Sequence, residues 1–465
     1  MKTYNFGIVG LGVMGRNLLL NMADHGFAVA GLDMDQEKAG SLQNEAQKDH
    51  QIFATVDPES FVKSLESPRA IMLLVPAGSS VDGAIGTLLP LLDEGDIIID
   101  GGNTYFSDTD RRYQELSSKG IHFFGMGISG GESGARRGPS MMPGGDKVAY
   151  ERLRPIFEAI AAKVDDAPCV EFLGNGSAGN YVKMVHNGIE YGIMQLIAET
   201  YDIMKNVYHL EHEVIQESFE QWNREELNSF LIEITGAILK RKEENTFLVD
   251  LISDWAKSKG TGKWTSQNAM DLQVPVPVID AAVNMRDMSK YKLERIKASK
   301  LLTWQNASKV DPVDLEHLKA GLYFAIISTY AQGLAQLRMA SDTYGYGLNL
   351  ETVCKIWRGG CIIRATLLED FRKAFALQPD LANILLDREI AAKLNASQAG
   401  IRSIIRDAIQ NGTPVSAWMN ALSYFDAYRA ENLPTNLIQA QRDFFGAHTY
   451  ERTDKEGVYH THWES

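Results

Sequence analysis

The chain has 465 residues, 45% hydrophobic and 23% charged, with a formal net charge of −14. That length exceeds one ordinary core and predicts two or three domains, and the apolar fraction excludes a largely disordered chain. The negative balance excludes a nonspecific nucleic-acid or anionic-membrane binder, because no global positive field draws phosphates in; an anionic ligand needs a local basic cluster.

The chain opens on a strand pattern at Phe6–Gly10 with no leader-like segment before it. Further short apolar runs follow at Ala28–Leu32, Ile71–Val75, Ile97–Asp100 and Ile121–Gly125. They are flat in polarity rather than alternating, as strands covered on both faces of a parallel sheet are. Helical patterns lie between them, which predicts an α/β Rossmann-like domain over 1–177.

Gly10-Leu11-Gly12-Val13-Met14-Gly15 joins the first strand to the first helix. This GxGxxG spacing provides a tight turn, close backbone approach to a pyrophosphate, and helix-on-strand packing, with the helix N-terminus facing the phosphates. Asp33 follows the second strand about 20 residues on, where the dinucleotide fingerprint places a ribose-binding acid. Asp100-Gly101-Gly102-Asn103 follows another strand and offers an amide side chain. Gly127-Ile128-Ser129-Gly130-Gly131-Glu132-Ser133-Gly134 reads as a glycine-rich loop after a strand end, with amides and a hydroxyl for a ligand.

Beyond Gly176 the texture becomes helical, with long segments such as Asn180–Met204, Glu211–Leu239 and Val313–Met339. An all-helical domain is expected over 178–432. Lys183, His186, Asn187 and Glu190 occupy i, i+3, i+4, i+7, one continuous helix face. An amine, an imidazole, an amide and a carboxylate stand where an amphipathic helix carries apolar residues. The bland reading is a solvated face with a weak Lys–Glu attraction. Gly188 and Tyr191 in the same helix favour acid–base work on a hydroxy acid: a neutral lysine accepts a hydroxyl proton, and a carboxylic acid protonates a carbanion-like carbon. Lys259-Gly260-Thr261-Gly262-Lys263 reads as an anion-binding turn. From Leu433 onward the sequence shows no apolar core stripe, and 433–465 reads as a tail that orders on another surface. Cys169, Cys354 and Cys361 form no CxxC pair and fit a reducing, cytoplasmic setting; no run is long and apolar enough for a membrane span.

Taken together, these stretches resemble 6-phosphogluconate dehydrogenases of the long form across essentially the whole chain. The resemblance rests on Lys183-Met184-Val185-His186-Asn187-Gly188-Ile189-Glu190-Tyr191, the Ser129–Ser140 loop, Lys259–Thr265, Trp357-Arg358-Gly359-Gly360-Cys361-Ile362-Ile363-Arg364, and Gln441–His448. It implies a decarboxylating oxidoreductase with NAD or NADP, no metal, and a homodimer with a shared active site. By the same resemblance Lys183 is the general base and Glu190 the general acid. Gly10, Leu11, Gly12, Val13, Met14, Gly15, Asp33, Met34, Asp35, Val75, Pro76, Ala77 and Asn103 would face the coenzyme. Asn103, Ser129, Gly130, Gly131, His186 and Asn187 would hold the sugar acid. Tyr191, Lys259 and Arg286 would take its phosphate, with Arg442 and His448 arriving from the partner's tail. The family usually has Ala at Gly12, Asn-Arg-Thr at Asp33-Met34-Asp35 and Lys at Pro76. The charge change at Asp33 and Met34 predicts NAD over NADP, unless Lys38 supplies a cation for the 2′-phosphate. A different β-hydroxyacid dehydrogenase acting on an unphosphorylated acid is the alternative, and a non-catalytic dinucleotide-binding protein on the same scaffold a more distant one.

Overall fold

The computed structural model describes residues 3–304 and 312–463 and divides into two compact units, Met1–Ala421 and Leu422–Ser465. The α/β part contains β1 (Phe6–Val9), α1 (Val13–Asp24), β2 (Val29–Leu32), α2 (Gln36–Glu45), β3 (Ile52–Thr55), α3 (Pro58–Ser64) and β4 (Ala70–Leu73). It continues through α4 (Ser79–Leu88), β5 (Ile97–Asp100), α5 (Phe106–Ser117), β6 (His122–Ser129), α6 (Gly131–Arg137), β7 (Ser140–Gly145) and α7 (Lys147–Ile160). Six parallel strands run in the order β3-β2-β1-β4-β5-β6, and β7 closes the edge antiparallel to β6. β1, β2, β4 and β5 are wholly buried, as their largely apolar runs require of strands sandwiched between helices, with Asp100 the one charged residue among them. Asp35, Asp57 and Asp146 cap α2, α3 and α7 by accepting from the first-turn amides.

Three expectations for this half need correction. β3 lies at the edge and is only half buried, so it lacks the run that betrays a central strand. β7, Ser-Met-Met-Pro-Gly-Gly, carries too much Pro and Gly to read as a strand, and it makes the sheet mixed rather than wholly parallel. Gly127, Ile128 and Ser129 are not loop; they extend β6 to Ser129, where pairing with β7 continues the ladder through Ser129 and Ser140.

The helical part runs α8 (Ala178–Asp202), α9 (His212–Trp222), α10 (Phe230–Lys240), one-turn α11 (Leu248–Leu251), α12 (Thr261–Asp271), α13 (Pro277–Ser289) and α14 (Lys292–Leu301). α15 (Leu315–Tyr344), α16 (Leu350–Trp357), α17 (Leu367–Leu377) and α18 (Arg388–Gln410) follow, and α19 (Ser416–Tyr428) leads into the second unit. The segment expected as Glu211–Leu239 is two helices, because Asn223 accepts from the Ser229 amide and Ser229 starts a new cap. α15 has 30 residues and spans about 45 Å. It begins at the Asp314 cap and ends at Gly345 in the left-handed region.

α8 is the central element. It lies on β6 and β7 and is covered by α12, α13 and α15. Glycines make this close approach possible. A Cβ at Gly125, Gly127 or Gly144 would collide with Asn180, Lys183 or the Gly179 backbone. A Cβ at Gly188 would come 2.5 Å from Thr265 of α12, whose Oγ1 donates to the Met184 carbonyl at 2.8 Å.

Candidate active site

The carboxyl ends of β1, β4, β5 and β6 set their loops side by side, the position where open α/β sheets bind ligands. At β1, Gly10 has φ +96°, and a Cβ there would press on the Leu74 carbonyl at 2.5 Å; a Cβ at Gly15 would collide with the Gly10 carbonyl. Gly12 faces open space and caps the N-terminus of α1 without a side chain. The loop is therefore fixed by contacts at its first and third glycines and left open at the second. That is the shape a pyrophosphate needs, so the residues fit a dinucleotide. Leu11 is buried, Met14 half-buried and Val13 exposed.

Asp33 stands one residue past β2. Its carboxylate accepts from the Leu11 amide at 2.7 Å and the Asp35 amide at 3.0 Å. Asp35 caps α2 by accepting from the Glu37 amide at 2.9 Å. Met34 between them is 98% exposed. Lys38 sits 3.8 Å from both carboxylates. Val75 is half-buried, and Pro76, Ala77 and Asn103 are exposed on the two neighbouring loops. These loops touch, since a Cβ at Gly102 would lie 3.3 Å from the Val75 carbonyl.

The four-residue stripe of α8 is not solvated. Lys183 is 6% exposed, His186 fully buried and Asn187 8% exposed, and the Glu190 side chain retains 22% exposure. Lys183 Nζ lies 3.4 Å from His186 Nδ1, and Glu190 Oε2 lies 3.9 Å from the same atom. His186 Nδ1 is 3.1 Å from Asn187 Oδ1 and its Nε2 is 3.2 Å from Ser129 Oγ. With Nδ1–H donating to Asn187, Nε2 is the acceptor for the Ser129 hydroxyl. Burial pushes the Lys183 amine below the ordinary lysine range, against the pull of Glu190. Burial pushes the Glu190 carboxyl up, with Lys183 and Arg286 opposing. Burial, then the charge of Lys183, holds His186 well below the usual imidazole value. The enclosure thus favours a neutral amine and a protonated acid in the same pocket.

The far end of the stripe is basic. The Arg286 guanidinium lies 3.4 Å over the Tyr191 ring. Gly262, behind the Lys259-Gly260-Thr261 turn, packs so closely on the same ring that a Cβ would collide with it. Gly260 is left-handed at φ +95° and starts α12; Lys259 is exposed and Thr261 buried. Tyr191, Arg286 and the Lys259-Gly260-Thr261-Gly262 turn are therefore one cluster. Gly130 and Gly131 open α6 beside Ser129. Arg442 and His448 lie in the second unit, on and just after α20 (Thr435–Gly446).

That unit corrects a further expectation. α20 does carry an apolar stripe: Leu437, Ile438, Phe444 and Phe445 recur at i, i+1, i+7, i+8, and all are exposed. The intervening Gln441 and Arg442 hide the pattern in the sequence.

Sequence reasoning gave no role to four residues that shape the site. Ile362 donates its amide to Ser129 Oγ at 3.4 Å, and the Trp357 ring meets the His186 edge at 5.7 Å between centroids. Asn180 donates to the Gly102 carbonyl at 3.2 Å, and Arg112 is buried beneath the coenzyme loops. The first two lay inside a motif singled out only for its resemblance. The last two carry no local signal.

Two family models cover nearly the entire chain: the NAD binding domain of 6-phosphogluconate dehydrogenase over residues 5–174 and the 6-phosphogluconate dehydrogenase C-terminal domain over 179–463. The chain belongs to the 6-phosphogluconate dehydrogenase family. It is an NAD(P)-dependent oxidoreductase of that family. A decarboxylating 6-phosphogluconate dehydrogenase from Lactococcus lactis is 52% identical over 100% of this chain and 99% of its own length. A Bacillus subtilis relative, named NADP(+)-dependent and decarboxylating, is 49% identical over the full length of both. The solved Plasmodium falciparum 6-phosphogluconate dehydrogenase superposes with a TM-score of 0.96 at 41% identity, covering 99% of this chain and 100% of that one. Among the described residues there is no cluster of His, Cys, Asp and Glu suited to a metal, and no helix long and apolar enough to cross a membrane.

Proposed function

We propose that this chain oxidises 6-phosphogluconate at C3 and decarboxylates the product to ribulose 5-phosphate and carbon dioxide. The observation that carries this reading is the enclosed Lys183–Glu190 pair, in which burial favours the neutral amine and the protonated carboxyl. The nicotinamide coenzyme supplies the hydride acceptor. Lys183 takes the proton of the 3-hydroxyl as hydride leaves C3, giving a 3-keto acid. The resulting ammonium supports negative charge on the 3-oxygen while the β-keto acid loses carbon dioxide. Glu190 then delivers a proton to C1 of the enediol. Neutral His186, fixed between Ser129 and Asn187, orients the polar wall around the sugar acid without adding a cation. The Tyr191–Arg286 stack and the Lys259 turn match the phosphate end.

In this reading residues 1–177 bind coenzyme, 178–432 bind substrate and form a homodimer, and 433–465 carry Arg442 and His448 into the partner's site. The exposed stripe of α20 supports the last assignment, because such a face is stable only when covered. The three free, buried cysteines fit a cytoplasmic enzyme.

NAD is the preferred coenzyme in this proposal. Asp33 offers a carboxylate to ribose hydroxyls and Met34 offers no cation to a 2′-phosphate. Lys38 already faces two carboxylates. The Bacillus subtilis relative is named NADP(+)-dependent, so the preference would be a divergence within the family. The test is formation of reduced coenzyme from 6-phosphogluconate, with NAD and NADP in parallel and unphosphorylated gluconate as the control. Equal rates with gluconate would favour the unphosphorylated-acid alternative.

A further inference from the structure

We propose that Arg112 is a positioning residue for the reaction, resting on the functional reading above: one buried guanidinium holds the coenzyme loop after β4 and the Asn103 loop after β5 in register with α8. Arg112 is 1% exposed on α5. Its Nη2 donates to the Gly78 carbonyl at 3.0 Å, at the end of the Val75-Pro76-Ala77 loop. Nε and Nη2 also grip the Asp82 carboxylate at 2.8 and 3.1 Å, in the first turn of α4. That grip, ahead of a second contact from Arg111, holds the Asp82 carboxyl down at about 2. Nη1 faces Asp100 Oδ2 at 3.5 Å.

Asp100 relays the position to the next loop. It is fully buried at the end of β5, accepts from the Gly102 amide at 3.0 Å and from Thr104 Oγ1 at 2.7 Å, and so brackets Asn103 on both sides. The Gly102 carbonyl in turn accepts from Asn180 at 3.2 Å, and Asn180 lies three residues before Lys183 on α8. Polar contacts thus connect the loop after β4, the Asn103 loop and Asn180, which shares α8 with the base. Arg111 reaches Asp82 at 2.9 Å from the surface, but no contact joins it to Gly78 or Asp100, so it cannot replace the fork.

Arg112→Lys keeps the charge and loses the fork; Asp100→Asn keeps the shape and removes the carboxyl that faces Nη1. Both are compared with wild type by direct titration of NAD and NADP in the absence of substrate, by kcat and KM for 6-phosphogluconate, and by thermal melting. The expected result for the folded variants is coenzyme affinity weakened about tenfold or more and kcat reduced by up to ~10²-fold, the scale of a misplacement of about 1 Å. KM for 6-phosphogluconate should change far less. A variant that melts earlier yet binds coenzyme as wild type does would reduce Arg112 to a stabilising role and overturn the proposal. If wild type binds coenzyme but leaves 6-phosphogluconate untouched, the functional reading fails while the titrations still decide the role of Arg112.

Discussion

Helix α8 buries an amine, an imidazole and an amide along one stripe, whereas α20 exposes Leu437, Ile438, Phe444 and Phe445 along its own. α20 inverts the ordinary rule that a helix hides its apolar face, whereas α8 buries its polar stripe along with its apolar faces. In α8 the cost of burying polar groups is offset by their mutual contacts, and burial shifts Lys183 and Glu190 toward their uncharged forms. In α20 the gain from burying four large side chains is not realised within its own unit. The two helices differ in what they leave unsatisfied: α8 keeps polar groups dry, and α20 keeps apolar groups wet.

The α8 side of this comparison breaks most severely at Lys183. Lys183→Met should cut turnover by up to ~10⁴-fold, the upper range for a positioned base, while coenzyme titration is unchanged. Turnover near wild type would remove the amine from the mechanism.

The α20 side is tested by removing residues from Leu433 onward. Loss of two charge-assisted contacts at roughly 1.5–3 kcal/mol each predicts a fall of about 10³-fold, with α1–α18 still folded by circular dichroism. Mixing Lys183→Met with Arg442→Ala should restore about a quarter of wild-type activity after subunit exchange, since half the dimers then hold one intact site. No recovery in a verified heterodimer would place Arg442 in its own subunit's site, and an active Arg442→Ala homodimer would place it outside any.

Glu190→Gln sharpens the comparison within α8. A neutral amide keeps the shape and cannot donate the C1 proton, so product formation should slow by about 10²-fold with hydride transfer less affected. Unaltered kinetics would assign the proton to another group. The smallest effect concerns the exposed coenzyme end. Asp33→Asn/Met34→Arg should move kcat/KM toward NADP by about tenfold or more, the value of a charge-assisted bond gained and a repulsion removed. A wild type that already favours NADP would show that this loop does not set the choice.

The α/β half and the site helix were legible because their signals are local. GxGxxG, the Asp33 spacing and the Lys183–Glu190 periodicity are each read within about 25 residues. β3 and β7 were not, because an edge strand and a Pro-Gly strand draw their identity from neighbours already in the sheet. Burial of the α8 stripe was likewise invisible: it depends on Gly125, Gly127 and Gly144 lying opposite it, residues more than 30 positions away. Arg112 carries no local signal, and only the fold brings it under Gly78 and beside Asp100.

Whether enclosure makes Lys183 a neutral base is read from kcat/KM for 6-phosphogluconate measured across pH. A base with a depressed pKa loses activity as pH falls through that depressed value, and an acid with a raised pKa loses it as pH rises through its own. The expected profile is a bell whose acidic limb is complete well below the ordinary lysine value of about 10.4. In Lys183→Arg, whose residual rate would come from a group that stays charged, that limb should vanish. A wild-type rate that climbs without a plateau into the ordinary lysine range would contradict it.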